Sequence, residues 1–305
     1  MWFLPIIWKI SFMIAAATSL GWSTVEDSSD DDPAWETSRN GHLQAQPQTP
    51  GDWTCIVPYF NEAGTISRCL TSLAQQTHQP LVILVDNAST DASRAVAEQC
   101  CADHGLAFVS LSERRPGKVS ALATGLAHTT TGLVATCDAD TFYPPDYLAR
   151  AAALLRRDSS VAAGAVIITS PEAVLRSWFQ RNHRWLASTA APWQCHAGGA
   201  GQVFQTQALR QVGGFCPKRW NYVLEDHEVI ARLTAIGQIA YDTDFWCSPL
   251  DRPDRHAKVG WTLAERVCYH MTTRRSMPAY FDSFLAPRLL QRQLWNSRLR
   301  PTEIV

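Results

Sequence analysis

The sequence predicts an α/β protein: a mostly parallel sheet flanked by helices, with a smaller half of different texture after it. Three observations carry this reading. From Trp53 onward, short apolar runs alternate with longer amphipathic ones, the order produced by parallel strands and their crossover helices. Leu81 to Val85 is an unbroken apolar run of strand length, as expected of a strand buried on both faces. The 305 residues, 46% hydrophobic and 18% charged, supply ample core for one large α/β domain or two small ones.

Thr54 to Val57 reads as the first strand, ended by Pro58. Ile66, Cys69, Leu70 and Leu73 then recur at helical spacing. The Leu81–Val85 strand runs into "DNASTD", where Asp91 is suited to cap a helix over Ser93–Cys101. Leu106–Leu111 follows as a strand, Val119–His128 as a helix, Gly132–Cys137 as a strand and Asp146–Arg157 as a helix. Val161–Thr169 and Gln238–Ser248 are later strands. Between and after them, Trp178, Trp185, Trp193, Trp220, Trp246 and Trp261 stand among Arg, His and Gly. Such rings suit core and interface burial, and also stacking on sugars. Residues 276–305 mix Leu and Trp with Arg, which fits either a basic amphipathic tail on a membrane surface or an ordinary docking helix.

The N-terminus has another character. Residues 1–22 are apolar apart from Lys9 and a few hydroxyls, nearly a membrane span in length. Lys9 lies inside the stretch rather than ahead of it, unlike a signal peptide. The segment is expected to be a loose anchor or sequence upstream of the true start; export of the main domain is the third account. Residues 23–52 are acidic and proline-containing and are expected to be disordered linker. The folded domain is expected over 53–275. Nine cysteines with neither a C-x-x-C pair nor zinc spacing predict reduced core thiols and a cytoplasmic protein; the apolar first end and the basic last end of the chain leave membrane association open. A net charge of -1 gives no electrostatic reason to expect nucleic acid as a partner.

"TCDADT" (136–141) puts two carboxylates one residue apart after the apolar run Leu133–Ala135. In an extended segment Asp138 and Asp140 would share a face, and like charges that close call for a cation or proton between them. An acidic turn leaving a strand is the plainer account. Asp86 follows "LVILV", Lys118 follows "SERRPG", and Glu225 and Asp226 stand in "NYVLEDHEV". The carboxyl ends of parallel strands share one edge of the sheet. Acids and a lysine gathered there suit a phosphate-bearing substrate with a divalent metal, and a further carboxylate can act as general base.

"VPYFNEAGTISRCLTSLAQQT", "VDNASTD", "GKVSALATGLAHTTTGLVATCDADT" and "GGAGQVFQTQALRQVGGF…LEDHEV" resemble, in order and spacing, glycosyltransferase family 2. Those are inverting enzymes of the GT-A fold, whose nucleotide-binding sheet is Rossmann-like and is followed by an acceptor-binding half. The resemblance covers roughly residues 53 to 250. It implies that Pro58, Phe60 and Glu62 lie along the nucleotide base and that Asp86 recognises uracil or its equivalent. By the same resemblance Lys118 lies near the nucleotide, Asp138 points towards ribose, and Asp140, with Asp138, holds Mg²⁺ or Mn²⁺. Asp226 is the implied catalytic base and Glu225 its supporting neighbour, while His196–Gly201 corresponds to the glycine-rich acceptor loop.

The chain departs from the family in places. Ala123 stands where Asn is common, and "RNHRW" (181–185) precedes the "ED" motif rather than following it. His256 could reach the metal from its loop, an ordinary exposed histidine being the plainer account. The expected activity is transfer of one sugar from a nucleotide diphosphate, a UDP-sugar first, to a hydroxyl on a carbohydrate or lipid-linked acceptor. The alternatives are a nucleotidyltransferase on a related fold and a non-catalytic nucleotide-sugar binder. The first lacks its Gly-rich, Arg-containing phosphate loop here; the second would be expected to lose the D-x-D pair or Asp226.

Overall fold

A computed structural model of the chain describes residues 52–169, 171–250 and 261–298. The expectations for residues 1–22, for the linker as far as Gly51 and for His256 fall outside those residues. In chain order the elements are β1 (Trp53–Tyr59), α1 (Ile66–Ala74), β2 (Leu81–Asp86), α2 (Ser93–Asp103), β3 (Phe108–Ser112), α3 (Lys118–His128), β4 (Leu133–Thr136), β5 (Thr141–Phe142) and α4 (Tyr147–Leu155). Then come β6 (Ser160–Ile167), α5 (Val174–Ala190), β7 (Gln202–Gln205), α6 (Thr206–Gln211), α7 (Glu225–Leu233), β8 (Gln238–Pro249) and α8 (Leu263–Met271).

The strands form one sheet in the order β3-β2-β1-β4-β7-β6-β8-β5. The first half is parallel, β1 pairing with β2 and β4, and β2 with β3. In the second half only β6 and β8 are parallel; β7 runs antiparallel to both β4 and β6, and β5 antiparallel to β8. The shared carboxyl edge expected from the sequence therefore holds for β1 to β4, while Glu225 and Asp226 arrive on a helix. β7 itself, four residues squeezed between a glycine run and α6, carried no strand signal.

Alternation along the strands divides the core in two. Cys55, Val57, Val82 and Leu84 face one layer with Ile66, Leu70 and Leu73 of α1, Ala97 of α2 and Leu148 of α4. Ile56, Ile83 and Val85 face the other, with Val119 and Leu122 of α3, Leu209 of α6 and Val229 of α7. Gly125 lets α3 lie against β1, since a Cβ there would overlap Ile56. Pro58 does not end β1, contrary to expectation: the strand continues to Tyr59, pairing Pro58 with Val85 and Tyr59 with Asp86. Pairing with β4 stops at Ile56, so the proline lies beyond the fully flanked part of the strand, where a missing donor is tolerated.

Residues Met277–Ala279, Tyr280–Leu285 and Ala286–Gln291 form a continuous helical stretch with a π-helical centre. Met277, Tyr280, Phe281, Leu285 and Leu289 are buried with Trp220, Val223, Ala231 and Tyr269 in a third apolar cluster. The apolar side chains expected on a membrane-facing tail are core residues here, which matches the docking alternative. Nine free thiols, seven of them buried, agree with the reduced-core expectation. Among the described residues no helix is long and apolar enough to cross a membrane.

Candidate active site

β1 has β2 on one side and β4 on the other, so successive connections leave it in opposite directions. That reversal opens a crevice at the strands' carboxyl ends, the usual place for a ligand in an open α/β sheet. Phe60 leaves β1 at this crevice and Asp86 ends β2 beside it. The Asp86 carboxylate accepts the Ser89 N–H at 2.9 Å, fixing the turn after the strand. Glu62 is engaged at the entry to α1: its carboxylate accepts from Thr65 Oγ1 at 2.6 Å and its N–H donates to Ser93 Oγ at 2.6 Å. Asp91 ties the same two loops together, accepting from Ser93 N at 2.9 Å and Ala63 N at 3.2 Å. It stands one residue ahead of the cap position, which Ala92 occupies.

Lys118 opens α3. The loop before it hangs on buried Asn87, whose amide donates to the Glu113 and Arg115 carbonyls at 3.0 and 2.8 Å and whose side-chain oxygen accepts from Gly117 N at 2.8 Å. Gly117 has φ 117°, in the region that favours glycine. Asn87 directly follows Asp86 in "VDNASTD", and its role as loop organiser went unread in the sequence.

Asp138 and Asp140 lie in a turn after β4 rather than in an extended segment, which corrects the geometry inferred from their spacing. The turn is pinned by its backbone. Asp138 N donates to the Tyr143 hydroxyl at 2.9 Å, and that hydroxyl donates to Ala200 O at 2.9 Å. Thr141 N returns to Asp138 O at 3.1 Å, and Leu250 N reaches Asp140 O at 2.6 Å. A freely solvated acidic turn would not be held from so many sides.

The side chains then meet. Lys118 Nζ is 2.5 Å from Asp138 Oδ1 and 4.0 Å from Glu225 Oε1. Glu225 and Asp226 begin α7, after Leu224 in the left-handed region at φ 65°. Gly199 packs between the two groups: a Cβ there would stand 3.3 Å from Lys118 Nζ and 3.4 Å from Asp226 Cβ. A side chain there would crowd the lysine ammonium, so glycine lets the loop pass close to both groups. Thr136 at the end of β4 donates to Gly199 O at 2.7 Å, and Gln202 donates to Asp226 O at 3.0 Å. The glycine-rich loop is thus fastened to both the β4 end and α7.

The charges sort themselves by surroundings. Burial opposes the charge on Lys118, but Asp138, Glu225 and Asp226 overcome it and hold its pKa above the ordinary lysine range. Burial pushes the Glu225 carboxyl up to about 7, with Asp226 adding to the rise and Lys118 opposing it. Burial also works to raise Asp226, yet His227 and Lys118 outweigh it and hold that carboxyl below the usual value. Burial and the neighbouring Asp138 raise Asp140 to about 6. Two adjacent carboxyls driven apart in this way mark one as ionised and one as a proton carrier near neutral pH.

His227 was missed by the sequence reading. Its Nδ1 lies 2.9 Å from Asp226 Oδ1, and its backbone N–H donates to the same oxygen at 2.9 Å. The ring is edge-on to Trp261 and Tyr269, with centroids 5.2 and 5.6 Å away. The available signal was the histidine following "ED". Among the described residues, no group of three or more His, Cys, Asp and Glu side chains could hold a metal alone. Asp138 and Asp140 instead offer two hard carboxylates, the set that suits Mg²⁺ or Mn²⁺ when substrate phosphates complete the shell.

The profile described as glycosyl transferase family 2 matches residues 54–212, just over half of the chain. An uncharacterized glycosyltransferase, YaiP, of Escherichia coli is 34% identical over 99 residues, which are 32% of this chain and 25% of that one. An undecaprenyl-phosphate 4-deoxy-4-formamido-L-arabinose transferase of Sodalis glossinidius is 30% identical over 131 residues, 41% of this chain and 39% of its own length. The chain therefore spans between a quarter and two fifths of these relatives. Among solved structures, the mannosyltransferase PcManGT of Pyrobaculum calidifontis, in complex with GDP-Man and Mn²⁺, superimposes with a TM-score of 0.56 at 22% identity, over 84% of this chain and 73% of that one.

Proposed function

The chain belongs to glycosyl transferase family 2, and on that premise we propose that it transfers one sugar from a UDP-sugar to a hydroxyl acceptor, with inversion and with a divalent cation. The observation that carries the proposal is the convergence of Lys118, Asp138, Glu225 and Asp226 around Gly199. It joins the edge expected to hold a nucleotide to the helix expected to hold the base. Asp86 at the end of β2 is the proposed contact to uracil, with Pro58, Phe60 and Glu62 on the loop beside it.

Asp140 and Asp138 would hold the cation, Mg²⁺ or Mn²⁺, which when bound supplies charge neutralisation for the diphosphate. The Lys118 ammonium, displaced from Asp138 towards the leaving oxygens, adds a second positive charge where negative charge develops. Asp226 is ionised, and Oδ1 is occupied by His227, so Oδ2 is the oxygen free to take the acceptor's proton as that hydroxyl attacks C1 from the face opposite the diphosphate. Glu225, protonated for part of the time near neutral pH, keeps a second full negative charge from accumulating beside Asp226. The likeness to an undecaprenyl-phosphate transferase supports lipid-linked acceptors as the first class to try, those attacking through a hydroxyl being the ones that need Asp226 as base.

The test is turnover of a panel of UDP- and GDP-sugars with and without Mn²⁺, with the product's anomeric configuration read by NMR. A UDP-sugar consumed only with metal and giving the inverted anomer is the expected result. Turnover of GDP-sugars alone would move Asp86 out of its proposed role. A retained anomer would overturn the single-displacement scheme.

A further inference from the structure

α5 is built the wrong way round for a helix that merely covers a core. Its buried residues are two serines, Ser177 and Ser188, and its polar side chains make the attachments. Arg181 donates to Thr243 O at 3.1 Å, pairs with Asp244 at 3.3 Å and lies 5.3 Å above the Trp246 ring. Arg184 donates to His196 O at 3.2 Å. Val174, Leu175, Trp178, Phe179, Trp185 and Leu186 point outward, with Leu175 75% and Phe179 64% exposed. At 100° per residue they span a stripe of about 140°, in two patches separated by Asn182. So large an outward apolar surface marks a docking face rather than chance exposure.

We propose that this face is a membrane-docking surface, lying in the plane of an anionic lipid bilayer with its tryptophans at the headgroup level. Three features favour lipid. The helix contains no acidic residue, and with Arg181 and Arg184 engaged at Asp244 and the His196 carbonyl its outward cation is Arg176, a local positive charge in a chain whose net charge is -1 that complements anionic headgroups. Arg176 and His183 are exposed along one margin of the stripe, where cationic groups of an interfacial helix sit. Trp178 and Trp185 combine an apolar body with an N–H that headgroups can satisfy. The helix also leads, through Trp193, into the loop whose Gly199 faces Lys118 and Asp226. Docking would therefore hold the acceptor side of the cluster near the bilayer; that consequence rests on the transferase reading, whereas the docking does not.

The experiment is sedimentation of the full-length protein with phosphatidylcholine vesicles, with and without phosphatidylglycerol. Wild type should partition onto the anionic vesicles. Trp178→Ser/Phe179→Ser/Leu186→Ser should lower that partition about tenfold or more while leaving the melting temperature and donor hydrolysis unchanged. Arg176→Glu should weaken binding to anionic vesicles alone. Because residues 1–22 could bind vesicles themselves, brominated-lipid quenching of wild type is compared with Trp178→Phe/Trp185→Phe, which should lose part of the quenched signal. Unchanged quenching overturns the proposal, whatever the total vesicle binding of the triple variant. So does a wild-type dimer that the triple substitution converts to monomer without any vesicle binding, which would make the occupant a second copy.

Discussion

The imidazole of His227 reaches back to the residue before it, its Nδ1 2.9 Å from Oδ1 of Asp226. Together with the His227 backbone N–H on the same oxygen, it helps hold the Asp226 carboxyl below its usual pKa against the effect of burial. Removing the ring should let that pKa rise. His227→Ala is expected to move the acid limb of the rate–pH profile upward by about one unit or more, and His227→Asn, which can still donate a hydrogen bond, should move it less. A profile unchanged by both substitutions would mean that the contact does not set the ionisation of Asp226.

Asp140 is the second test. If Asp138 and Asp140 hold the cation, Asp140→Ala should abolish the dependence of nucleotide diphosphate affinity on Mn²⁺. Calorimetry of both proteins with UDP, with metal and with chelator, checks this. Wild-type affinity that chelator leaves untouched would remove the metal from the binding step. The local fold should survive, because the turn is held by backbone bonds such as Leu250 N to Asp140 O.

How much of this was legible follows from what sequence encodes. The first half could be read because its strands are long apolar runs and its helices keep a 3.6-residue period, as in Leu81–Val85 and Ile66–Leu73. Asp86, Lys118, Asp138, Asp140, Glu225 and Asp226 could be marked because each follows or precedes such an element, and because the family resemblance placed them. β7 could not, being too short to show a period. Gln202 and Asn87 could not, because their partners are backbone groups fixed only once the loops have folded; His227 was overlooked although it directly follows the "ED" pair. α5 is not read as a helix from the sequence: its Trp178 and Trp185 stand with the later tryptophans as suited to core and interface burial or sugar stacking, and the structure turns both outward.

Glu225 offers a stability measurement independent of turnover. Its carboxyl is raised from the ordinary 4.5 to about 7 by burial and, against the pull of Lys118, by Asp226. Between those values the folded state holds more protons than the unfolded one, so this group makes stability fall as pH rises. Glu225→Gln removes the titration. The difference in melting temperature between variant and wild type should therefore shift in the variant's favour as pH increases from about 4.5 to about 7, and level off above. A constant difference across the window would show that Glu225 ionises normally in the folded protein.

The base itself is tested by Asp226→Asn. The amide keeps the side chain's shape, and the main attachment of this residue to the loop, Gln202 Nε2 to Asp226 O at 3.0 Å, is through the backbone and survives. At the start of α7 the alternative role for Asp226 is to favour the helix N-terminus electrostatically, and losing that alone costs about 0.3–1 kcal/mol without touching chemistry. A general base is different: transfer should fall by about 10²–10⁴, with donor affinity nearly unchanged if, as proposed, the Asp226 carboxylate faces the acceptor rather than the diphosphate. Measured on one preparation, donor affinity, melting temperature and transfer rate separate the two roles. A normal rate at normal stability would take Asp226 out of the mechanism. The proton acceptor would then be sought in Glu225, whose carboxyl titrates near 7 and would impose an acid limb there.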